Sequence, residues 1–289
     1  EPYNARYDAG SIPPPVRAAT PEEEGTQHPL LRFYIDETRA SSYFHRAPGR
    51  ASALDTASVL QARATYCGLI EEVDDQIGRV FEFLAATGQW DDTLVVFTSD
   101  HGEMLGDHYQ FGKSGYFEPI FHIPLIVRDP EAREASGRRC GAFTESVDLM
   151  PTILEFLGAP VPRACNGRSL LPWTRRGHAE NWRTEAHFEF DFRDLWYVKA
   201  ESALGVPMDA ACLAAVGGER YKYVHFAALP PLFFDLDDDP HETRDRSSDA
   251  ALTSVMLAYA QKMLSWRLEH ADRTLTGFRA TPAGLEERR

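Results

Sequence analysis

The chain has 289 residues, 43% of them apolar, and a formal net charge of −14 from 44 acidic and 30 basic side chains. That length fits one large domain or a domain with an appendage, and the acidic balance argues against broad nucleic-acid binding, which needs a basic surface. No apolar run approaches the roughly 18 residues of a membrane-spanning helix, so neither nucleic acid nor a bilayer is expected as a partner.

The segment 1–50 is rich in proline and charge, with Pro13-Pro14-Pro15 and Glu22-Glu23-Glu24. It carries no signal-peptide pattern and reads as an irregular excursion or the ragged start of a truncated α/β domain. Residues 51–87 repeat apolar side chains at three- and four-residue steps through Leu60, Ala64, Cys67, Ile70, Val73, Ile77, Val80, Phe81 and Leu84, which predicts one long helix or two abutting ones. Gly88 suits the left-handed position that ends it. Residues 94–98 and 124–128 read as two buried strands of a parallel sheet, joined by a glycine-rich polar loop. Asp148 to Leu157 predicts a helix with Pro151 in its first turn, Gly158 at its end and Asp148 as its cap.

From about residue 184 the pattern changes to short aromatic strands, predicted near 187–190, 196–199, 212–216, 220–226 and 232–236. They imply a smaller antiparallel subdomain closed by a helix over 250–270. Residues 271–289 are expected to form a polar tail or an arm against another subunit. The expected divisions are therefore 1–50, 51–180 (metal-binding α/β part), 181–270 and 271–289. The cysteines Cys67, Cys140, Cys165 and Cys212 have no short pairwise spacing, so the expectation is a reduced, cytoplasmic setting.

The most informative stretch is Leu94-Val95-Val96-Phe97-Thr98-Ser99-Asp100-His101-Gly102-Glu103. An apolar strand ends here in a hard oxygen donor and a borderline nitrogen donor, and open α/β sheets place ligands beyond strand carboxyl ends. Gly102 allows a sharp bend, so that two successive side chains can converge on one divalent ion. The competing reading is a helix-capping Asp beside a surface His. Asp235, Asp237, Asp238 and Asp239 lack the spacing of a calcium loop and read as a solvated turn. Tyr116, Phe117 and Glu118 fit either a pocket wall or the core.

Three blocks together resemble the sulfatase branch of the alkaline phosphatase superfamily. They are residues 98–103 with Gly106-Asp107-His108 and Gly112-Lys113; Ser146 to Leu154; and Tyr221-Lys222-Tyr223-Val224 with 232–236 and Asp239-Pro240-His241-Glu242. Within that branch, 64–68, 188–194 and 265–276 look most like phosphonate monoester hydrolases. The resemblance implies an α/β fold: a partial alkaline phosphatase-like sandwich, with a mostly parallel sheet flanked by helices, plus a smaller C-terminal α+β subdomain with an antiparallel sheet. It also implies one divalent metal ion, manganese first, with calcium, zinc, iron or magnesium as alternatives. Asp100 and His101 match the later pair of metal ligands, and Lys113 matches a lysine that contacts the transferred group. Glu103 and His108 are expected to support the site from behind. A homo-oligomer joined through the C-terminal arm is expected.

In that family the nucleophile is a formylglycine made from the cysteine of Cys-x-Pro/Ala-x-Arg. No such motif occurs here; Cys165-Asn166-Gly167-Arg168 is a near miss, so no nucleophile is expected in this chain. The early metal ligands and an upstream histidine are missing too, so the chain is expected to be the later part of a longer enzyme and inactive alone. The expected parent is a metal-dependent hydrolase of small anionic esters, either phosphonate monoesters or phosphodiesters. An arylsulfatase, or a non-catalytic assembly piece, is the alternative.

Overall fold

The structure, a computed structural model, describes residues 2–191, 197–270, 278–281 and 284–287. Two short helices precede the long one: α1 (Pro21–Glu24) and α2 (Pro29–Glu37). α2 corrects the expectation of an irregular start. Pro29 sits in its first turn, the His28 ring accepts from the Leu30 N–H, and Leu30, Leu31, Phe33, Tyr34 and Ile35 are all buried. α3 (Thr56–Ala86) is one continuous helix; the Asp55 carboxylate caps it by accepting from the Ser58 N–H at 2.7 Å. Only its first half has buried residues (Val59, Ala64 and Gly68); Leu69, Ile70, Val73, Val80 and Phe83 are 49–60% exposed.

β1 (Val95–Thr98) and β2 (Leu125–Arg128) lie side by side, but antiparallel, with Val95 opposite Arg128 and Thr98 opposite Leu125. The pair is therefore not a parallel unit. The connection between the strands contains only the four-residue helix α4 (Glu118–Phe121), too short to carry a crossover back to the start of the sheet. α5 (Leu149–Phe156) and α6 (Leu171–Arg176) follow. Asp148 does not bond the start of α5. It closes a capping box with Glu145 around a 3-10 turn, and its fully buried carboxylate also takes the Arg168 N–H and the Arg183 guanidinium.

The antiparallel subdomain is a four-stranded sheet in sequence order: β3 (Glu185–Phe190), β4 (Leu213–Gly218), β5 (Tyr221–Phe226) and β6 (Leu232–Asp235). Most of the strand expected at 196–199 is instead the start of helix α7 (Tyr197–Leu204); Trp196 lies outside the described residues. The run Lys199-Ala200-Glu201-Ser202-Ala203 is rich in helix formers, which outweighs the aromatic pair before it. α8 (Met208–Ala211) leads into β4. One face of the sheet packs Val216, Tyr223 and Phe233 against α9 (Thr253–His270). The other face, with Leu213, Ala215, Val224, Phe226 and Phe234, joins α2, Met104, Tyr116, Phe117 and Ile120 in the largest core. Residues before 50, the loop after β1 and the antiparallel sheet thus share one interior.

β7 (Phe278–Thr281) and β8 (Gly284–Glu287) form a hairpin near the end of the chain; the rest of the expected arm lies outside the described residues. No disulfide involves any of the four cysteines, and no helix is long and apolar enough to cross a membrane, among the described residues.

Candidate metal and anion site

The chain leaves β1 at Ser99, and two donor side chains converge immediately. His101 Nε2 lies 3.3 Å from Asp100 Oδ2, and the His101 N–H donates to Asp100 Oδ1 at 3.0 Å. His101 Nδ1 is 2.9 Å from the Gly102 carbonyl, which can only accept, so Nδ1 carries a proton and Nε2 is the ring nitrogen left for a metal. This orientation of the ring by a backbone carbonyl is how metal-binding imidazoles are commonly fixed. Ser99 Oγ donates to the His101 carbonyl at 2.7 Å and tightens the turn. Desolvation pushes the Asp100 carboxyl up. The neighbouring His101, two backbone N–H groups and the charge of Lys113 outweigh it, leaving Asp100 below its ordinary value.

The pair fits one part of a divalent-ion site: a carboxylate oxygen and an imidazole nitrogen side by side, Asp100 exposed and His101 half-buried. No cluster of three or more His, Cys, Asp or Glu side chains suited to a metal occurs among the described residues, so this chain brings two donors together there.

The loop that follows folds back to deliver a cation. Glu103 accepts from the Gly112 N–H, and the Met104 N–H donates to the Gly112 carbonyl at 3.1 Å. Gly112 is left-handed (φ 85°), and a Cβ there would collide with the Tyr43 hydroxyl. The exposed Lys113 comes next, close enough for its charge to be felt at Asp100. Burial and the Glu103 charge together raise the Tyr43 phenol. Glu103 therefore ties the Asp100-His101 turn to the Lys113 turn.

His108 sits elsewhere. Its ring is 2% exposed, stacked on Phe117 with centroids 3.7 Å apart. Nδ1 meets Glu24 Oε1 at 2.7 Å and Nε2 lies 3.0 Å from the His241 carbonyl. Tyr116 and Phe117 are core residues rather than pocket wall, at 1% and 0% exposure. Cys165 lies after α5, in the connection to α6, and its half-buried thiol is in no disulfide.

Behind α4 lies a buried charge cluster that the sequence reading did not assemble, although it named each member. Lys222, wholly buried, meets Glu118 Oε1 at 3.1 Å and Glu242 Oε1 at 2.5 Å. Burial alone would raise Glu118, but His122 and Lys222 hold it down at about 2; burial dominates at Glu242 and raises it. A signal was present: along β5, Lys222 alternates onto the face that carries Val224 and Phe226, where a cation must have buried partners. The turn after β6 is solvated at Asp237 and Asp238, as expected, but Asp235 at the end of β6 and Asp239 and Glu242 in the turn are buried.

Comparison with known proteins gives the family and the fold. The Sulfatase family model matches residues 11–159, and the model described as N-sulphoglucosamine sulphohydrolase, C-terminal, matches 106–269. The chain is 53% identical over 287 residues to the multifunctional alkaline phosphatase superfamily protein PehA of Trinickia caryophylli, covering 99% of this chain and 56% of that protein. The crystal structure of a phosphonate monoester hydrolase of Agrobacterium radiobacter superposes with a TM-score of 0.94 at 42% identity, over all of this chain and 57% of that one. The phosphonate monoester hydrolase SpPMH from Silicibacter pomeroyi gives 0.89 at 34% identity, over all of this chain and 56% of that one. The chain thus spans about half the length of these relatives.

Proposed function

Since this chain belongs to the sulfatase family of the alkaline phosphatase superfamily, we propose that it is the later part of a hydrolase of phosphonate monoesters or phosphodiesters, completed by residues encoded before its first position. The observation that carries this reading is the convergence of Asp100 and His101, with Lys113 close by. Asp100 and His101 would hold a divalent ion, manganese first. When bound, that ion supplies positive charge to the oxygens of the transferred group.

The residues of this chain have separate tasks. His101 offers Nε2 because the Gly102 carbonyl holds the proton on Nδ1. Asp100 stays ionised through neutral pH, since its carboxyl is held low. Lys113 brings an ammonium to the same mouth, where it can meet a non-bridging oxygen or the leaving oxygen. Glu103 fixes the turn that aims it. The nucleophile of this reading is a formylglycine upstream, so the 289 residues alone do not turn over ester. The C-terminal arm with the helix before it, from Leu252 to Phe278, is proposed to join subunits in a homo-oligomer; within it α9 turns Leu257 and Leu264 outward.

The test is hydrolysis of p-nitrophenyl phenylphosphonate, bis-p-nitrophenyl phosphate and p-nitrophenyl sulfate with manganese present. The 289-residue chain should be inactive on all three. A longer protein that adds a Cys-x-Pro/Ala-x-Arg segment should cleave the phosphorus esters faster than the sulfate. Turnover by the short chain, or a wide preference for the sulfate, would overturn the reading.

A further inference from the structure

We propose that Lys222 is a positioning residue for the Asp100-His101 turn: it clamps α4 to the turn after β6, and α4 in turn holds the backbone directly after His101. The inference rests on the reading of that pair as the metal-binding element.

The connection can be followed atom by atom. The Lys222 ammonium, from β5, bridges Glu118 at the start of α4 and Glu242 in the turn after β6. Glu242 has a left-handed backbone (φ 57°), and its Oε2 accepts the Glu118 N–H at 2.7 Å. The first residue of α4 is thus gripped through both its side chain and its backbone. The next two residues of α4 act on the site. The Pro119 carbonyl accepts from the Glu103 N–H at 3.1 Å, and the Ile120 carbonyl accepts from the Gly102 N–H at 2.7 Å. Gly102 immediately follows His101 and supplies the carbonyl that sets its tautomer. A second tie reaches the same turn, where His108 Nε2–H donates to the His241 carbonyl.

Stability alone does not account for this cluster. A buried ammonium between two carboxylates carries a large desolvation cost, and apolar residues of similar volume often serve a fold as well or better. What apolar residues cannot do is fix one end of a short helix to within the tolerance that a pair of ligands needs. The aromatic floor under the ammonium, with Nζ 5.3 Å from the Phe188 ring centroid, limits the directions in which it can move.

The experiment is amide hydrogen exchange resolved to single residues on the full 289-residue chain, without added metal. Two variants are compared with the unaltered chain. Glu118→Ala removes a partly exposed partner and leaves Lys222 paired with Glu242. Lys222→Met combined with Glu242→Gln removes the ammonium without stranding a buried charge beside it. In both, the Gly102 and Glu103 amides should exchange at least about tenfold faster, while the β4 amides keep their protection. Unchanged exchange at Gly102 and Glu103 in Glu118→Ala, or an equal loss of protection in β4, overturns the proposal. If the double variant fails to fold, Glu118→Ala decides alone. A separate arm adds manganese to the longer protein that adds the Cys-x-Pro/Ala-x-Arg segment. Failure of manganese to change exchange at 99–103 in that protein overturns the metal reading, and the metal-free comparison still decides the role of Lys222.

Discussion

The Pro119 carbonyl oxygen fills the space that a side chain at Gly102 would need. The bend after His101 and the start of α4 are therefore in direct backbone contact. Gly102→Ala should force them apart, with the one to three kcal/mol or so typical of overpacking, and should break the Gly102–Ile120 hydrogen bond. Urea unfolding checks the cost, and manganese titration of the same variant checks displacement of the pair. An alanine variant as stable as the parent would show that the two segments are not in contact.

Removing the Lys113 charge should be visible at Asp100. The ammonium helps to hold that carboxyl below its ordinary value, so Lys113→Met should move the Asp100 midpoint up. Carbon-13 NMR titration of the metal-free protein reads this directly. An unmoved midpoint would mean that Lys113 faces away from the cleft.

His28 should make the fold acid-sensitive. Burial against Phe226 and Tyr116, only partly offset by its bond to the Pro230 carbonyl and the charge of Asp245, pushes the imidazole down to about 4. A folded value below the unfolded 6.5 means that the unfolded chain takes up the proton first. The stability of this group is complete above about 6.5 and is lost as pH falls toward 4. The full loss is roughly 3 to 4 kcal/mol. Denaturant unfolding at pH 7 and 4.5 measures it. His28→Asn, which can still accept from the Leu30 N–H, should start less stable at pH 7 and lose less over the same interval.

Arg63 and Asp107 tie α3 to the site loop. Their ion pair is 15% and 20% exposed, and Arg63 Nε also donates to the Leu105 carbonyl at 2.9 Å, while Asp107 accepts from the Val16 N–H at 2.6 Å. A pair so enclosed is not the weak surface kind. Arg63→Ala should cost about 2 kcal/mol by denaturant unfolding, and Asp107→Asn about half as much, because the amide oxygen can still serve Val16.

The sequence revealed most where one local pattern decides the outcome. The repeat from Leu60 to Leu84 is the helix that forms, and the apolar run before Asp100 is a strand. Its partner's direction was hidden, because a run of Val and Phe does not say which way a neighbour runs; that depended on how little helix lies between residues 99 and 124. α2 escaped notice because proline and charge over fifty residues masked a nine-residue apolar helix. The grip of Lys222 on Glu118 spans 104 positions, and no spacing rule reaches that far. Asp239 looked like a turn residue and is; the burial of Glu242 follows from what α4 and Gln27 place against it.

The outward apolar side chains of α3 give the molecule a second thermodynamic variable. Any species that settles on that stripe in the native state, and leaves the denatured chain alone, stabilises the fold by mass action, by about 2.7 kcal/mol at a hundredfold excess over its dissociation constant, and so raises the melting temperature. Midpoints measured on this polypeptide should therefore depend on how much of it, and of what else, is in the tube.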